Sequence, residues 1–284
     1  DIDESLNFSA ESLKVILRSN SKVRVVIIQN TLGYPCDIKE VEKICRENKV
    51  ILIEDLAHSV GAIYDDGRET GTVGDFTVLS FSQDKIIDCI SGGALIIRNE
   101  KYRKSLQRSF NEPNFTQQLK DRFYPLFTYS LRKTYPLGAG KLLHWVLRTF
   151  GFLSRPMDGE NGIKTLSAWY CNLAYSTFTD CANNINHRKK IARIYVDEIS
   201  KKVTNKQITD NIDKSSNLRF PIFVENRVDL IKFLKDHGVF VSDIWYDAPI
   251  SPKRYLSDTS YSGQCPKAEK ISEKILNLPT HINM

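Results

Sequence analysis

The sequence predicts an α/β protein with a mostly parallel sheet covered by helices, followed by a small α+β unit at the carboxyl end. Three observations favour this fold class. Strand-like and helix-like segments alternate through residues 1–100, as in parallel sheets. Residues 50–53 form a short continuous apolar run, which is typical of a strand covered on both faces. Residues 218–284 combine two strand patterns with two helix patterns.

The first hundred residues contain four predicted strands and one helix with a clear start. Asp37 can cap this helix, because Glu40 follows three residues later as in a capping box. Apolar residues then recur at helical spacing over residues 38–45, which predicts one buried face. The predicted strands are residues 22–28, 50–53, 76–80 and 93–97.

The rest of the chain predicts an insertion, a long helix and a small unit. Residues 101–112 have a helical pattern, which residues 113–165 break with prolines, glycines, aromatic and basic residues. A long helix is predicted from about Leu166 to Ser200. Beyond it we predict strands at 218–224 and 238–241, with helices at 227–236 and near 266–276.

These patterns predict three parts. Residues 1–112 form part of a large α/β domain, residues 113–165 a basic aromatic insertion, and residues 166–284 the long helix with the small C-terminal domain.

Composition excludes several classes of protein. The chain has 284 residues, 41% of them apolar and 26% charged, and no apolar run approaches the roughly 20 residues that span a bilayer. Its six cysteines lie far apart, so they indicate reduced cytosolic thiols rather than disulfides or a metal site. The net charge is +6, and residues 119–155 hold seven basic residues and one acid. The remainder is therefore neutral, unlike a nucleic-acid-binding protein with a broad basic face.

Polar side chains follow two of the predicted strands. Open parallel sheets bind ligands beyond the carboxyl ends of their strands. Glu54 and Asp55 end one strand, Ser80 ends another, and Lys85 follows five residues later. Taken singly, each has a plain structural explanation: Asp55 could cap a helix, Ser80 could end its strand, and Lys85 could be a solvated surface group.

Together these residue types suit pyridoxal phosphate (PLP). A lysine forms a Schiff base with the aldehyde of PLP. A carboxylate pairs with the pyridine nitrogen and keeps it protonated, so that the ring accepts electrons. A serine hydroxyl can bind a phosphate oxygen. His58 lies close to Asp55 in sequence, although a histidine there could equally be a packed helix residue.

Four strings make this signal more specific. They are residues 53–62 (IEDLAHSVGA), 71–75 (GTVGD), 80–85 (SFSQDK) and 91–94 (SGGA). They resemble the DegT/StrS-type aminotransferases, fold-type-I PLP-dependent enzymes that aminate keto sugars on nucleotide carriers. The resemblance covers most of residues 1–100 and 166–284 and is weak over 113–165.

The resemblance implies a role for each matching residue. Lys85 matches the Schiff-base lysine, Asp55 the partner of the pyridine nitrogen, and Ser80 the phosphate-binding serine. His58 stands where the family often has a glutamine beside the ring. A homodimer is also implied, because the family's sites lie at the subunit boundary.

The chain departs from the family pattern in three places. Family members usually have a further N-terminal segment, which supplies the backbone amides that hold the phosphate and an aromatic residue over the ring. We therefore expect a fragment with an incomplete sheet that binds PLP weakly on its own. Asn161 is the candidate for the asparagine that the family donates across the dimer. Tyr246 lies near the position of the family's substrate-facing histidine, so both are candidate substrate-binding residues.

The resemblance implies a PLP-dependent aminotransferase that acts on a nucleotide-linked keto sugar in polysaccharide or cell-surface sugar biosynthesis, with glutamate as the amino donor. One alternative is a cysteine desulfurase with Cys265 as sulfur acceptor, which the 80–85 string disfavours. A sugar dehydratase of the family would have histidine in place of Lys85. A catalytically impaired fragment, or a non-catalytic membrane-surface or scaffold protein that keeps the fold, also stays open.

Residues 119–155 motivate the membrane alternative. Aromatic and basic residues interleave there. One helical face there can hold Leu142, Trp145, Val146 and Thr149, with Lys141 and Arg148 at its border, as in an interfacial amphipathic helix. Together with the cytoplasmic location that the reduced cysteines indicate, this segment leads to the hypothesis of a peripheral contact with a membrane surface. The alternative is an insertion that packs its aromatic residues on the protein or on a dimer partner.

Overall fold

The computed structural model describes residues 1–106, 110–135, 138–153, 163–199, 201–241 and 246–281. The chain divides into two compact units. The first comprises residues 1–79, 95–100 and 180–284, and the second comprises residues 80–94 and 101–179.

A four-stranded sheet with the order β1-β2-β3-β4 confirms the predicted parallel α/β class. Strands β1 and β2 pair in parallel with Val25 opposite Ile51, and β2 pairs in parallel with β3 with Ile53 opposite Phe76. All four predicted strands are confirmed, with slightly different bounds. They are β1 (Val25–Ile28), β2 (Ile51–Asp55), β3 (Phe76–Ser80) and β4 (Gly93–Ile97).

Two capped helices pack beside β1 and β2 in the first unit. In α1 (Ala10–Ser19), the Ser9 hydroxyl accepts a hydrogen bond from the Ser12 amide at 3.0 Å. In α2 (Ile38–Glu47), Asp37 accepts from the Glu40 amide at 3.2 Å, so the predicted cap is confirmed. The apolar faces of both helices share one core with the buried residues of β1 and β2.

A second core in the first unit surrounds an antiparallel pair of strands. Strand β5 (Arg219–Phe223) pairs with β6 (Ile275–Pro279), with Phe220 opposite Leu278. Phe220 and Leu276 are fully buried. The helices of this part are α7 (Cys181–Glu198), α8 (Lys206–Asp210), α9 (Arg227–Asp236) and α10 (Pro266–Ser272).

Three sequence predictions for this part are wrong. The last helix ends at Ser272, and β6 occupies residues that were expected to be helical or irregular. Residues 239–241 do not form the predicted strand, because the Val239 amide donates to the Leu234 carbonyl at 2.8 Å and closes α9. The predicted long helix is interrupted at Asp180. There, threonine hydroxyls bond to preceding carbonyls, which competes with helical hydrogen bonding.

The second unit is mainly helical. Residues 113–165 break the preceding helical pattern in the sequence, yet their described part is largely helical: an Asn114 cap starts a 20-residue helix that accommodates Pro125. The predicted helical face over residues 142–149 is confirmed. The helices are α3 (Glu100–Leu106), α4 (Phe115–Thr134), α5 (Ala139–Thr149) and α6 (Ala168–Thr179).

Candidate functional site

Glu54 and Asp55 end β2 but face different surroundings, because successive strand residues point to opposite faces. Glu54 is 0% exposed. Its carboxylate accepts hydrogen bonds from the Gly71 amide, the Val73 amide and the Tyr64 hydroxyl, each at 2.7 Å. Glu54 therefore anchors the loop before β3 and is not available to a ligand.

Asp55 is half-buried and less heavily bonded. One carboxylate oxygen accepts from the Ala57 amide at 2.8 Å, and the other accepts from the Gln29 side-chain amide at 3.4 Å. Residues 57–61 form turns, so the helix cap considered for Asp55 is replaced by a local side-chain turn. Because an ionised carboxylate offers about four lone-pair sites, Asp55 can accept further hydrogen bonds.

Two groups contact Nδ1 of the His58 imidazole. The Leu32 amide donates to Nδ1 at 3.3 Å, and the Tyr246 hydroxyl lies 2.9 Å from the same nitrogen. Because a main-chain N–H can only donate, Nδ1 is an acceptor, and the neutral ring carries its proton at Nε2. The carbonyl of His58 accepts from the Ser216 hydroxyl at 2.8 Å, which fixes the backbone as well.

Tyr246 is suited to donate this hydrogen bond. Burial raises the pKa of its hydroxyl well above the ordinary value; the Leu32 backbone amide lowers that pKa in part, and the negative charge of Asp55 raises it. The hydroxyl therefore stays protonated at neutral pH. Sequence reasoning placed Tyr246 near the substrate but missed its contact with His58, since the two residues lie 188 positions apart.

A cavity of about 300 Å³ borders these residues within the first unit. Gln29 and Thr31, beyond the end of β1, line it together with Tyr246. Gln29 also contacts Asp55, and Tyr246 also contacts His58. The cavity therefore lies at the same edge of the first unit as Asp55, His58 and Tyr246. Gln29 was not predicted. The strand register could have found it, because Ile28 lies opposite Glu54 and the next pair is Gln29 and Asp55.

Ser80 ends β3 and Lys85 lies in the loop that follows, and both belong to the second unit. The hydroxyls of Ser80 and Ser82 lie 3.0 Å apart. The Asp88 carboxylate accepts from the amides of Asp84, at 3.0 Å, and Ile90, at 2.8 Å, and so closes the loop around Lys85.

Neighbouring side chains hold this loop in place. Ile86 and Ile87 are buried, while Lys85 itself is half-buried. Two helices also contact the loop. The Tyr124 hydroxyl of α4 donates to the side chain of Gln83 at 2.6 Å, and the Thr177 hydroxyl of α6 donates to the Asp88 carbonyl at 3.2 Å. Lys85 therefore extends from a backbone fixed on several sides.

The predicted site residues fall into three groups. Asp55, His58 and Tyr246 come together in the first unit, and Ser80 and Lys85 belong to the second unit. Asn161 lies outside the described residues. Their roles toward a cofactor or substrate stay predictions.

The described residues contain neither a metal-binding cluster nor a membrane-spanning helix. Within them, no three histidine, cysteine, aspartate or glutamate side chains are grouped closely enough to hold a metal ion. None of the helices described has the length and apolar character needed to cross a membrane.

The sequence matches a known protein family over its whole length. A model of the DegT/DnrJ/EryC1/StrS aminotransferase family matches residues 1–284. The pleiotropic regulatory protein of Geobacillus stearothermophilus is 23% identical over 283 residues, which cover 98% of this chain and 66% of that protein. A GDP-perosamine synthase of Vibrio cholerae is 33% identical over 97 residues, or 34% of this chain and 26% of the relative.

Solved structures with the same fold are similar over nearly the whole chain. The aminotransferase TlmJ from Streptoalloteichus hindustanus has a TM-score of 0.68 and 22% identity, covering 99% of this chain and 66% of TlmJ. An E. coli GDP-4-keto-6-deoxy-D-mannose-3-dehydratase with bound hydrated PLP has a TM-score of 0.64 and 18% identity, covering 99% of this chain and 69% of that one. At these identities the matches show the fold, and they confirm the predicted fold class. The chain spans 66% of the length of the Geobacillus stearothermophilus protein and 66% of the length of TlmJ.

Proposed function

We propose that this chain, which belongs to the DegT/DnrJ/EryC1/StrS aminotransferase family, is a PLP-dependent enzyme that transfers an amino group to a keto sugar. The arrangement of Asp55 and His58 at the carboxyl end of β2 supports this proposal most strongly. It places a carboxylate with open lone pairs beside an imidazole whose orientation is fixed.

The donors and acceptors of the described residues fit PLP. The ring nitrogen needs an acceptor, which Asp55 supplies. The Nε2–H of His58 is a donor suited to an oxygen of the ring, and the hydrogen-bonded hydroxyl pair of Ser80 and Ser82 has one O–H to donate to phosphate. Lys85 provides the amine that this chemistry requires.

When bound, PLP would supply an electron sink for the carbanion that forms at the substrate carbon. Asp55 would hold the proton of the pyridine nitrogen between that nitrogen and its own carboxylate. An ionised carboxylate stabilises this positive charge, whereas a neutral amide does not.

Lys85 would have two roles in succession. Its Nζ would first hold the aldehyde carbon of the cofactor. When it is not attached to the cofactor, the same Nζ would hold and move the proton of the substrate carbon. A half-buried position on a fixed loop suits both roles, because it limits the distance over which the amine moves.

His58 and Tyr246 would orient the ring of the cofactor. Since Nδ1 is occupied by the Leu32 amide and the Tyr246 hydroxyl, Nε2–H is the donor that His58 presents. Tyr246 is then a positioning residue that acts through His58. Its place on the wall of the cavity also keeps it a candidate for substrate contact.

The substrate, the partners and the location complete the proposal. The names of relatives such as GDP-perosamine synthase support a nucleotide-linked keto sugar as amino acceptor, in polysaccharide or cell-surface sugar biosynthesis. Glutamate is the proposed amino donor, and the protein is proposed to act as a cytoplasmic homodimer. The division predicted from the sequence into residues 1–112, 113–165 and 166–284 is retained as a proposal for the domain organisation.

An amino-transfer assay tests the proposed function. The protein is incubated with PLP, glutamate and a GDP- or dTDP-linked 4-keto sugar, and the sugar is analysed by mass spectrometry. We expect a product in which nitrogen has replaced the keto oxygen, formed only when glutamate is present and absent with Lys85→Ala. A product that has lost water without gaining nitrogen would contradict aminotransferase activity and favour dehydration.

A further inference from the structure

Helix α4 has one face directed into the second unit. The Asp121 carboxylate on this face is 0% exposed and accepts hydrogen bonds from the Tyr170 hydroxyl at 2.6 Å and from the Gln117 amide at 3.0 Å. One turn further on, Tyr124 donates to Gln83. These contacts fix the rotation of α4 about its axis and so decide which side chains point outward.

The opposite face of α4 is apolar and exposed. Five large side chains on it recur at intervals of three or four residues, which is one face of a helix. Phe115, at its start, is 74% exposed. Arg122 and Lys133 fall within the same arc at this spacing. The five side chains are Phe115, Leu119, Phe123, Leu126 and Tyr129.

Helix α5 extends this surface. It packs closely on the end of α4, because a Cβ on Gly140 would lie 2.6 Å from the Cα of Tyr135. Leu142 and Trp145 are 65% and 62% exposed and lie on one face of α5, with Arg148 near its border. We call residues 115–135 and 138–153 the helical hairpin.

The exposed charge of the hairpin has one sign. Its single acidic residue is the buried Asp121. The hairpin therefore presents large apolar side chains among positive charges, with no exposed carboxylate on residues 115–135 or 138–153. Its basic residues are Lys120, Arg122, Arg132, Lys133, Lys141 and Arg148.

This combination of charge and apolar exposure points to one occupant. We infer that the helical hairpin docks on an anionic lipid bilayer, with its apolar side chains in the interfacial region and its basic residues at the headgroups. Aromatic and aliphatic side chains partition into this region, and nearby Lys and Arg are attracted by anionic lipids. A second copy of the chain docked face to face would instead bring two positive surfaces together. The inference does not depend on the proposed enzymatic activity.

Vesicle co-sedimentation tests this inference directly. Purified protein is mixed with vesicles of phosphatidylcholine alone, or of phosphatidylcholine with phosphatidylglycerol. We expect sedimentation with the anionic vesicles only, and its loss when salt is raised to about 1 M, where the Debye length falls to about 3 Å. Equal recovery in the supernatant with both kinds of vesicle would overturn the inference.

Charge reversal at three hairpin residues separates specific docking from general attraction. Each basic residue at an anionic surface contributes about a fivefold factor to partitioning. Loss of three such contacts weakens binding on the order of 100-fold, and the added carboxylates are repelled by the anionic lipids, so the variant Lys133→Glu, Lys141→Glu, Arg148→Glu should bind at least about 100-fold less.

The matched control reverses three exposed lysines outside the hairpin. The variant Lys22→Glu, Lys232→Glu, Lys235→Glu has the same net charge as the hairpin variant. It should keep the wild-type distribution between vesicles and supernatant. Equal loss in both variants would show attraction by net charge alone and overturn docking through the hairpin.

An apolar variant tests the other occupant. Leu126→Ser with Trp145→Ser removes two exposed side chains, so circular dichroism should show an unchanged fold while vesicle binding falls. Sedimentation velocity without lipid should give the same oligomeric state as the wild type. A dimer that this variant dissociates, with vesicle binding unaffected, would show that the face binds a second copy and would overturn the inference.

Discussion

At the carboxyl end of β2, two adjacent carboxylates have opposite bonding environments. Glu54 is enclosed by backbone amides and the Tyr64 hydroxyl, whereas Asp55 makes one short and one long hydrogen bond. A carboxylate whose oxygens all accept hydrogen bonds from the protein stabilises the fold. A carboxylate with fewer such bonds can accept hydrogen bonds from a ligand. The two residues should therefore respond differently to the same chemical change.

Replacing each carboxylate by its amide measures this difference. In Glu54→Gln an NH₂ group faces backbone N–H donors, so the free energy of unfolding should fall by about 1–3 kcal/mol. In Asp55→Asn the acceptor for Ala57 remains, so the loss should stay below about 1 kcal/mol, while PLP affinity falls sharply. Urea unfolding and PLP titration of both variants make the comparison. An equal loss of stability in the two would show that Asp55 is structural.

The hydrogen bond from the Tyr246 hydroxyl should influence the tautomer of the His58 ring, which can be measured on the ring itself. Tyr246→Phe removes one of the two donors at Nδ1, and the Leu32 amide at 3.3 Å remains. The preference for the Nε2–H tautomer should weaken, which ¹⁵N chemical shifts of the imidazole detect. Tyr261→Phe is the matched control, because that hydroxyl bonds Glu269 instead. Identical imidazole spectra for wild type and Tyr246→Phe would show that Tyr246 does not position His58.

At the scale of elements, features that depend on neighbouring residues could be predicted from the sequence, whereas the pairing of strands far apart in the chain could not. The Asp37 cap depends on residues within one turn, and both its position and its helix were predicted. Strand β6 forms only because β5, more than fifty residues earlier, supplies its hydrogen-bonding partner. Helix α4 was not predicted, because Pro125 and the aromatic residues of this segment break the helical pattern. Asn114 nevertheless marks the start of the helix.

The candidate site follows the same division. Asp55 and His58 could be found because a strand end and a short string place them three residues apart. Their partners could not be found in this way, since Leu32, Gln29 and Tyr246 reach the site from other elements. The sequence thus predicts which residue types are present, and the fold decides what each one contacts.

At the scale of the whole molecule, the candidate residues lie in two compact units. Asp55 and His58 belong to the first and Lys85 to the second. The family assignment covers all 284 residues, while the chain spans 66% of the length of the Geobacillus stearothermophilus relative. The central claim for the whole molecule is that Lys85 is the residue to which PLP becomes attached.

Reductive trapping tests that claim without requiring turnover. The protein is incubated with PLP, reduced with borohydride and digested, and the phosphopyridoxyl mass is located by peptide sequencing. Because this chain is expected to bind PLP weakly, PLP is supplied in excess. We expect the label on Lys85, where Lys85→Ala abolishes it and Lys253→Ala, an exposed control, leaves it unchanged. A label of equal stoichiometry in Lys85→Ala, or on another lysine of the wild type, would contradict the claim.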